Sequence, residues 1–198
     1  LATDNNSLSS YRIAADLDGA DAHHLVDQPY YEGFEEEVAA ENSLRLAAEQ
    51  GDVRAQNTLG VKHELGDGVP QDDAEAVKWY RLAAEQGDAE AQFNLGRMYD
   101  GGRGVPQDYA EAVKWYRLAA KQGNASAQAK LGSMYANGQG VLQDYIAAHM
   151  WFNIGGANGA PAAIARRDAI ASELSPAELS DAQLRAKACM ASNYQECN

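Results

Sequence analysis

The sequence predicts an all-α fold, an α/α solenoid in which helix-turn-helix units stack into a superhelix. Three observations carry this. Residues 51–86 and 87–122 align without a gap at 24 identities in 36 positions, and residues 123–158 form a third copy with 16 identities to the second. A period of 36 residues falls among helical arrays, whose units bury their apolar faces only against their neighbours. Within each copy the apolar positions recur at helical spacing, and Gly, Pro and Asp punctuate the segments between them.

Residues 1–26 show little apolar periodicity and read as a flexible or loosely docked acidic arm. The first 50 residues hold 11 acidic against 2 basic side chains, so most of the net charge of −13 belongs to this end of the 198-residue chain. Glu35, Glu36, Glu37 and Glu41 read as the solvated face of a helix. Residues 27–50 form an N-terminal partial repeat, because Arg45-Leu46-Ala47-Ala48-Glu49-Gln50 reproduces Arg81-Leu82-Ala83-Ala84-Glu85-Gln86.

In each full repeat the first helix starts beside an N-cap residue, Asp52, Asp88 or Asn124. It carries one stripe at i, i+4 and i+8: Ala55, Leu59, Gly60 and His63, then Ala91, Leu95, Gly96 and Tyr99, then Ala127, Leu131, Gly132 and Tyr135. A mid-helix glycine lowers helix propensity by about 1 kcal/mol, so its recurrence suggests a neighbouring helix passing too close for a side chain. The second helix, from about Asp72, Asp108 or Asp144, turns Ala76, Trp79, Tyr80 and Ala83 inward and ends at Gly87 as a left-handed C′ residue. Trp79, Trp115 and Trp151 recur at the repeat period and read as core. Between the helices lies Gly66-Asp67-Gly68-Val69-Pro70-Gln71, repeated as Gly102-Arg103-Gly104-Val105-Pro106-Gln107.

These motifs resemble the Sel1-like repeat family, relatives of the tetratricopeptide repeats with a longer inter-helix loop. The resemblance covers about residues 30–160. Residues 150–197 also resemble the capping end of bacterial Sel1-like proteins, with Ser175 to Glu178 as a capping box and Pro176 at the first helical position. Residues 159–198 are therefore expected to form C-terminal capping helices. The third repeat departs from the pattern at Leu142, His149 and Gly155-Gly156, changes that suit the transition to a polar cap.

Cys189 and Cys197, the two cysteines of the chain, lie in its last ten residues. Their spacing suits neither a zinc site nor a CxxC motif. The alternatives are two reduced thiols in a cytosolic protein, or a disulfide that ties down the tail. The second is preferred, and in the chain-entropy model closing so short a loop contributes about 2.6 kcal/mol. It implies an extracytoplasmic protein, periplasmic or secreted. The chain opens with Leu1 and carries no signal peptide, which fits either a cleaved mature form or a trimmed chain.

Chemistry-bearing motifs are scarce. GxSxG, a P-loop, HExxH and an EF-hand loop are absent, and the glycine loops lack the strand-to-helix setting of a phosphate cradle. His23-His24 near Asp21 and Asp27 reads as chance proximity, and His63 as a packing residue in the place of Tyr99. No catalytic residue, metal or cofactor is assigned. The acidic balance has the wrong sign for nucleic acid, and no apolar run approaches the roughly 20 residues of a membrane span.

What remains is a surface. In related superhelices the first helix of each pair lines the concave side. On this sequence the helical wheel puts Arg54, Asn57, Val61 and Glu64 there in the first repeat, Glu90, Phe93, Arg97 and Asp100 in the second, and Ser126, Ala129 and Ser133 in the third. Phe93 replaces Asn57 and Ala129, so the repeat itself does not require it, and it reads as an anchor for a ligand. Asn57 and Asn94 can hold a peptide backbone, since an amide both donates and accepts. The expected function is a non-enzymatic interaction module, a monomer that binds a protein or peptide. The alternative, implied by cysteine-rich members of the family, is a cell-wall or β-lactam ligand-binding protein or weak hydrolase.

Overall fold

Side-chain caps and left-handed glycines set the helix boundaries. The computed structural model describes residues 28–195 and 197, with side chains from Val38 onward. The described residues form nine helices and no strand: α1 Gln28–Glu49, α2 Val53–Leu65, α3 Asp73–Glu85, α4 Ala89–Gly101, α5 Tyr109–Lys121, α6 Ala125–Asn137, α7 Tyr145–Ala157, α8 Pro161–Ala171 and α9 Pro176–Ala191. The expected arm, residues 1–26, and the His23-His24 pair lie outside the described residues, as do the side chains of Glu35, Glu36 and Glu37. Residues 1–43 and 44–198 are separate units. In the first, Ser43 Oγ donates to the Ala39 carbonyl at 2.8 Å. The second holds the repeats.

The carboxylates of Asp52 and Asp88 and the amide oxygen of Asn124 accept the N–H of Ala55, Ala91 and Ala127 at 2.8, 2.7 and 2.9 Å. Asp72, Asp108 and Asp144 cap α3, α5 and α7 in the same way. Each such cap is worth about 1 kcal/mol. The first helix of each repeat packs on the second, and the second on the first helix of the next repeat, in chain order.

The mid-helix glycines have a more specific explanation than a passing helix. The ring of Tyr80 lies directly against Gly60, that of Tyr116 against Gly96 and that of Phe152 against Gly132. A Cβ on these glycines would stand 2.5, 2.7 and 2.6 Å from the nearest ring carbon. All three rings are buried.

A buried amide ladder ties successive repeats together. Gln56, Gln92 and Gln128 donate to the carbonyls of Ala48, Ala84 and Ala120 in the preceding helix, at 3.0, 3.1 and 3.0 Å. Each also accepts from the end of its own repeat's second helix, from Gln86, Gln122 and Asn158 at 2.7, 2.8 and 2.8 Å. The ladder ends at Tyr194, whose hydroxyl donates to Asn158 Oδ1 at 3.0 Å.

The inter-helix loops also touch across repeats. Gly104 and Gly140 have φ of +67° and +69°, and a Cβ there would fall 2.2 Å from the Asp73 carbonyl oxygen and 2.3 Å from that of Tyr109. Gly68, at φ +72°, meets only Lys62 Nζ at 3.1 Å. Gly104→Ala is therefore expected to destabilise by about 2–3 kcal/mol more than Gly68→Ala, since both suffer the left-handed strain but only the first drives a methyl into backbone. Paired urea melts measure the difference, and equal losses would show that the loop contact carries no energy.

Of the departures in the third repeat, His149 and Gly155 turn inward, whereas Leu142 stands exposed in the loop. His149 is buried on α7, where burial and then the Arg167 guanidinium push its imidazole below the ordinary value. A Cβ on Gly155 would stand 3.0 Å from the Ala129 nitrogen, so this glycine admits the backbone of α6. The reason is coverage, because both α8 and α9 pack on α7. Helix α8 begins 36 positions after α6 and buries Ala163 as α6 buries Ala127. The array thus continues by one helix past Gly159, where the sequence identity ends. Helix α9 opens on the Ser175–Glu178 capping box with Pro176 in its first turn. Its end is tied by the Cys189–Cys197 disulfide, with the two Cα atoms 4.6 Å apart. The bond holds the tail where Tyr194 reaches Asn158.

Candidate interaction face

The face presented by α2, α4 and α6 is built by the same caps that start those helices, and the repeat period brings equivalent positions side by side. On α2, Arg54 is exposed, Asn57 and Val61 are half-buried and Glu64 is buried. On α4, Glu90 is exposed, Phe93, Arg97 and Asp100 are half-buried and Asn94 is buried. On α6, Ser126 is exposed while Ala129 and Ser133 are half-buried.

Several of these side chains meet across the repeat boundary. Asn94 Nδ2 donates to Asn57 Oδ1 at 3.4 Å, and Asn124 Nδ2 to Glu90 Oε2 at 3.1 Å. The Phe93 ring centroid lies 5.9 Å from that of Tyr116, and the Arg97 guanidinium sits over Phe93 at 6.0 Å. Half-buried Phe93 thus stands between a buried tyrosine and a cation, while Asn94 and Asn57 share a single hydrogen bond. Arg54 and Ser126 stand at the rim. Ser133 donates to the Ala129 carbonyl at 3.2 Å and accepts from Arg166.

Two members of the expected face are engaged inside the fold. Glu64 Oε2 accepts from the Tyr80 hydroxyl at 2.7 Å, and its Oε1 accepts from Arg97 and, at 2.7 Å, from Arg103 Nη1. Arg103 also makes a two-pronged bond to Asp73 at 3.1 and 2.7 Å. Burial favours the neutral acid at Glu64, but the Tyr80 hydroxyl and the two guanidinium groups outweigh it and hold the carboxyl below its usual range. Burial first, and Glu64 second, push the Tyr80 hydroxyl well above the ordinary tyrosine value. The second repeat has the same arrangement, with Asp100 Oδ2 accepting from Tyr116 at 3.2 Å and from Lys130 at 3.0 Å. Burial followed by Asp100 raises Tyr116 in the same direction.

These clusters gather tyrosine, carboxylate and a cation from the next repeat, and sequence reasoning missed Tyr80, Arg103 and Lys130 as their members. A signal was present. Glu64 and Tyr80 are paired as Asp100 and Tyr116 one period on, and both members change together, to Ala136 and Phe152, in the third repeat. The chemistry the face offers is recognition by an exposed ring, amides and charged groups. Among the described residues no group of three His, Cys, Asp or Glu side chains could hold a metal ion.

Comparison with known proteins places this architecture. A family model described as "Sel1 repeat" matches residues 53–88, 89–124 and 125–159. Among solved structures, a Sel1 repeat protein from Oxalobacter formigenes is 37% identical with a TM-score of 0.62, over 69% of this chain and 57% of that one. A protective antigen of uropathogenic Escherichia coli strains, displaying an SLR fold, is 41% identical with a TM-score of 0.63, over 79% of this chain and 34% of that one. The chain therefore spans less than two thirds of the length of either structure. No curated protein matches the sequence.

Proposed function

This chain belongs to the Sel1 repeat family, and on that premise we propose that it is a non-enzymatic module that binds a protein or peptide segment on the face formed by α2, α4 and α6. Sel1 repeat proteins generally mediate protein–protein interaction and are typically scaffolds. The observation that carries the reading is Phe93. Its counterparts one repeat either side are Asn57 and Ala129, so stacking does not require an aromatic there, and yet it stands half-exposed between Tyr116 and Arg97. Exposed aromatics beside arginine are common anchors at interfaces. The Cys189–Cys197 disulfide supports an extracytoplasmic setting. No described helix is long and apolar enough to cross a membrane.

The test uses peptides enriched on the folded protein from a displayed random library. Phe93→Ala should weaken the selected peptides at least tenfold while helical content by circular dichroism is unchanged. Leu142→Ser, an exposed loop change, should leave binding as it was. Arg97 is kept intact because it also serves Glu64. Undiminished binding to folded Phe93→Ala would remove the site from this face.

A further inference from the structure

The third repeat lacks the carboxylate that fills the other two, and the space it leaves is open. In repeats one and two, the ring stacked on the mid-helix glycine carries a hydroxyl. That hydroxyl donates to an acid near the end of the first helix, and the same acid takes a cation from the following first helix. In the third repeat the ring is Phe152, stacked on Gly132 as Tyr80 is on Gly60 and Tyr116 on Gly96. The acid is replaced by Ala136. The cation survives as Arg166 on α8, one period after Lys130. Its guanidinium donates to Ser133 Oγ, a neutral partner where Lys130 has a charged one.

The result is a shallow, largely open pocket of about 300 Å³ between α6, α7 and α8, floored by Phe152 and bordered by Ala136, Ile170, Arg166 and Ser133. Neither α6 nor α7 contains an acidic residue, and α8 contains only Asp168, which is held by Arg167 at 2.7 and 2.9 Å. In a chain of net charge −13 the lining of this pocket holds Arg166 and no acidic side chain.

We infer that the pocket between α6, α7 and α8 is a binding site for a glutamate side chain of a partner segment, with the carboxylate on Arg166 and an adjoining apolar side chain against Ala136 and Ile170. The incoming carboxylate takes the place that Glu64 and Asp100 hold internally. The guanidinium N–H groups that Ser133 does not take supply its hydrogen bonds, and arginine can grip both oxygens at once. The volume exceeds one carboxylate side chain and matches the low end of ligand pockets, which is why an apolar neighbour is included. This site shares Ser133 with the face proposed above but does not include Phe93, and it stands whether or not Phe93 binds.

Short peptides capped at both ends and carrying a glutamate beside a leucine test this by NMR titration of the folded, disulfide-bonded protein. The Arg166 side-chain Nε–H signal should shift saturably. Replacing the peptide glutamate by glutamine, or Arg166→Gln in the protein, should weaken binding at least tenfold, and raised salt should weaken it further. The double variant Ala136→Glu with Phe152→Tyr rebuilds the internal cluster. It should bind no peptide and melt at a higher temperature than wild type. Phe93→Ala should have no effect here, which separates this site from the one above. Equal binding of the glutamine peptide, or unchanged binding by folded Arg166→Gln, overturns the proposal. So does binding of an uncapped peptide without glutamate in preference to the capped one, because that assigns the pocket to a chain-terminal carboxylate.

Discussion

Glu64→Gln is expected to lower stability by about 3 kcal/mol at neutral pH. Glutamine keeps the shape of the side chain and can still accept from Tyr80, so the loss isolates the charge shared with Arg97 and Arg103. Breaking a buried ion pair from one side removes about 3–5 kcal/mol. The low end applies, because the Arg97 and Arg103 side chains are 36% and 41% exposed and water recovers part of their solvation. For a domain of this size the change corresponds to a fall in Tm of about 6–12 °C. The pH dependence has a definite sign. Glu64 is held below its ordinary value of 4.5, so its contribution is complete above pH 4.5 and is lost as the pH falls through the lowered value. The gap in Tm between wild type and variant should therefore narrow below pH 4.5. A gap that stays constant from pH 7 to pH 3 would assign the effect to packing.

Gly96→Leu tests the ring contact from the other side. Leucine is the better helix former by about 1 kcal/mol, so in an exposed helix the substitution would stabilise. Here a Cβ alone would stand 2.7 Å from Tyr116 Cδ1, on a ring that is fully buried and hydrogen-bonded to Asp100. The ring cannot swing away without abandoning that bond and the core beneath it. Overpacking of this kind removes about 1–3 kcal/mol before any lost hydrogen bond is counted. A net loss of about 3 kcal/mol is expected, read from urea melts by circular dichroism. Gly132→Leu should do the same against Phe152. An unchanged or raised Tm in either variant would mean that the ring and glycine do not constrain each other.

The positions of the candidate face were legible because a helical wheel needs only the period and the caps. Their roles were not. Phe93 stood out by differing from Asn57 and Ala129, and the structure leaves it half-exposed. Glu64 sat on the same wheel stripe, yet its carboxylate is turned to Tyr80, 16 residues away, and to Arg97 and Arg103, 33 and 39 residues away. A long side chain can turn inward or outward from the same Cα, and the wheel gives its Cα without its rotamer. The Gln56–Gln86 ladder was missed for a related reason: glutamine is usually a surface residue. The recurring Ala-Gln pairs at Ala55-Gln56, Ala91-Gln92 and Ala127-Gln128 were nevertheless a hint that something in the packing required an amide.

By itself the sequence determined the all-α repeat architecture, the helix starts, the glycine turns and the preference for a Cys189–Cys197 bond. Each of these is a local or strictly periodic property. A cap acts within three residues, a left-handed glycine within one turn, and a unit that cannot bury its apolar face alone must stack on copies of itself. Only the tertiary structure decided which carboxylates were already in use and that Arg166 meets Ser133 where Lys130 meets Asp100. That depends on contacts between helices one repeat apart, where Ala136 and Phe152 withdraw the charge and hydroxyl that Arg166 would otherwise meet. The same short-range chemistry repeats three times along the chain. Its outcome differs at the last repeat because two side chains end a few atoms sooner, and only the packed fold shows what stands opposite the gap.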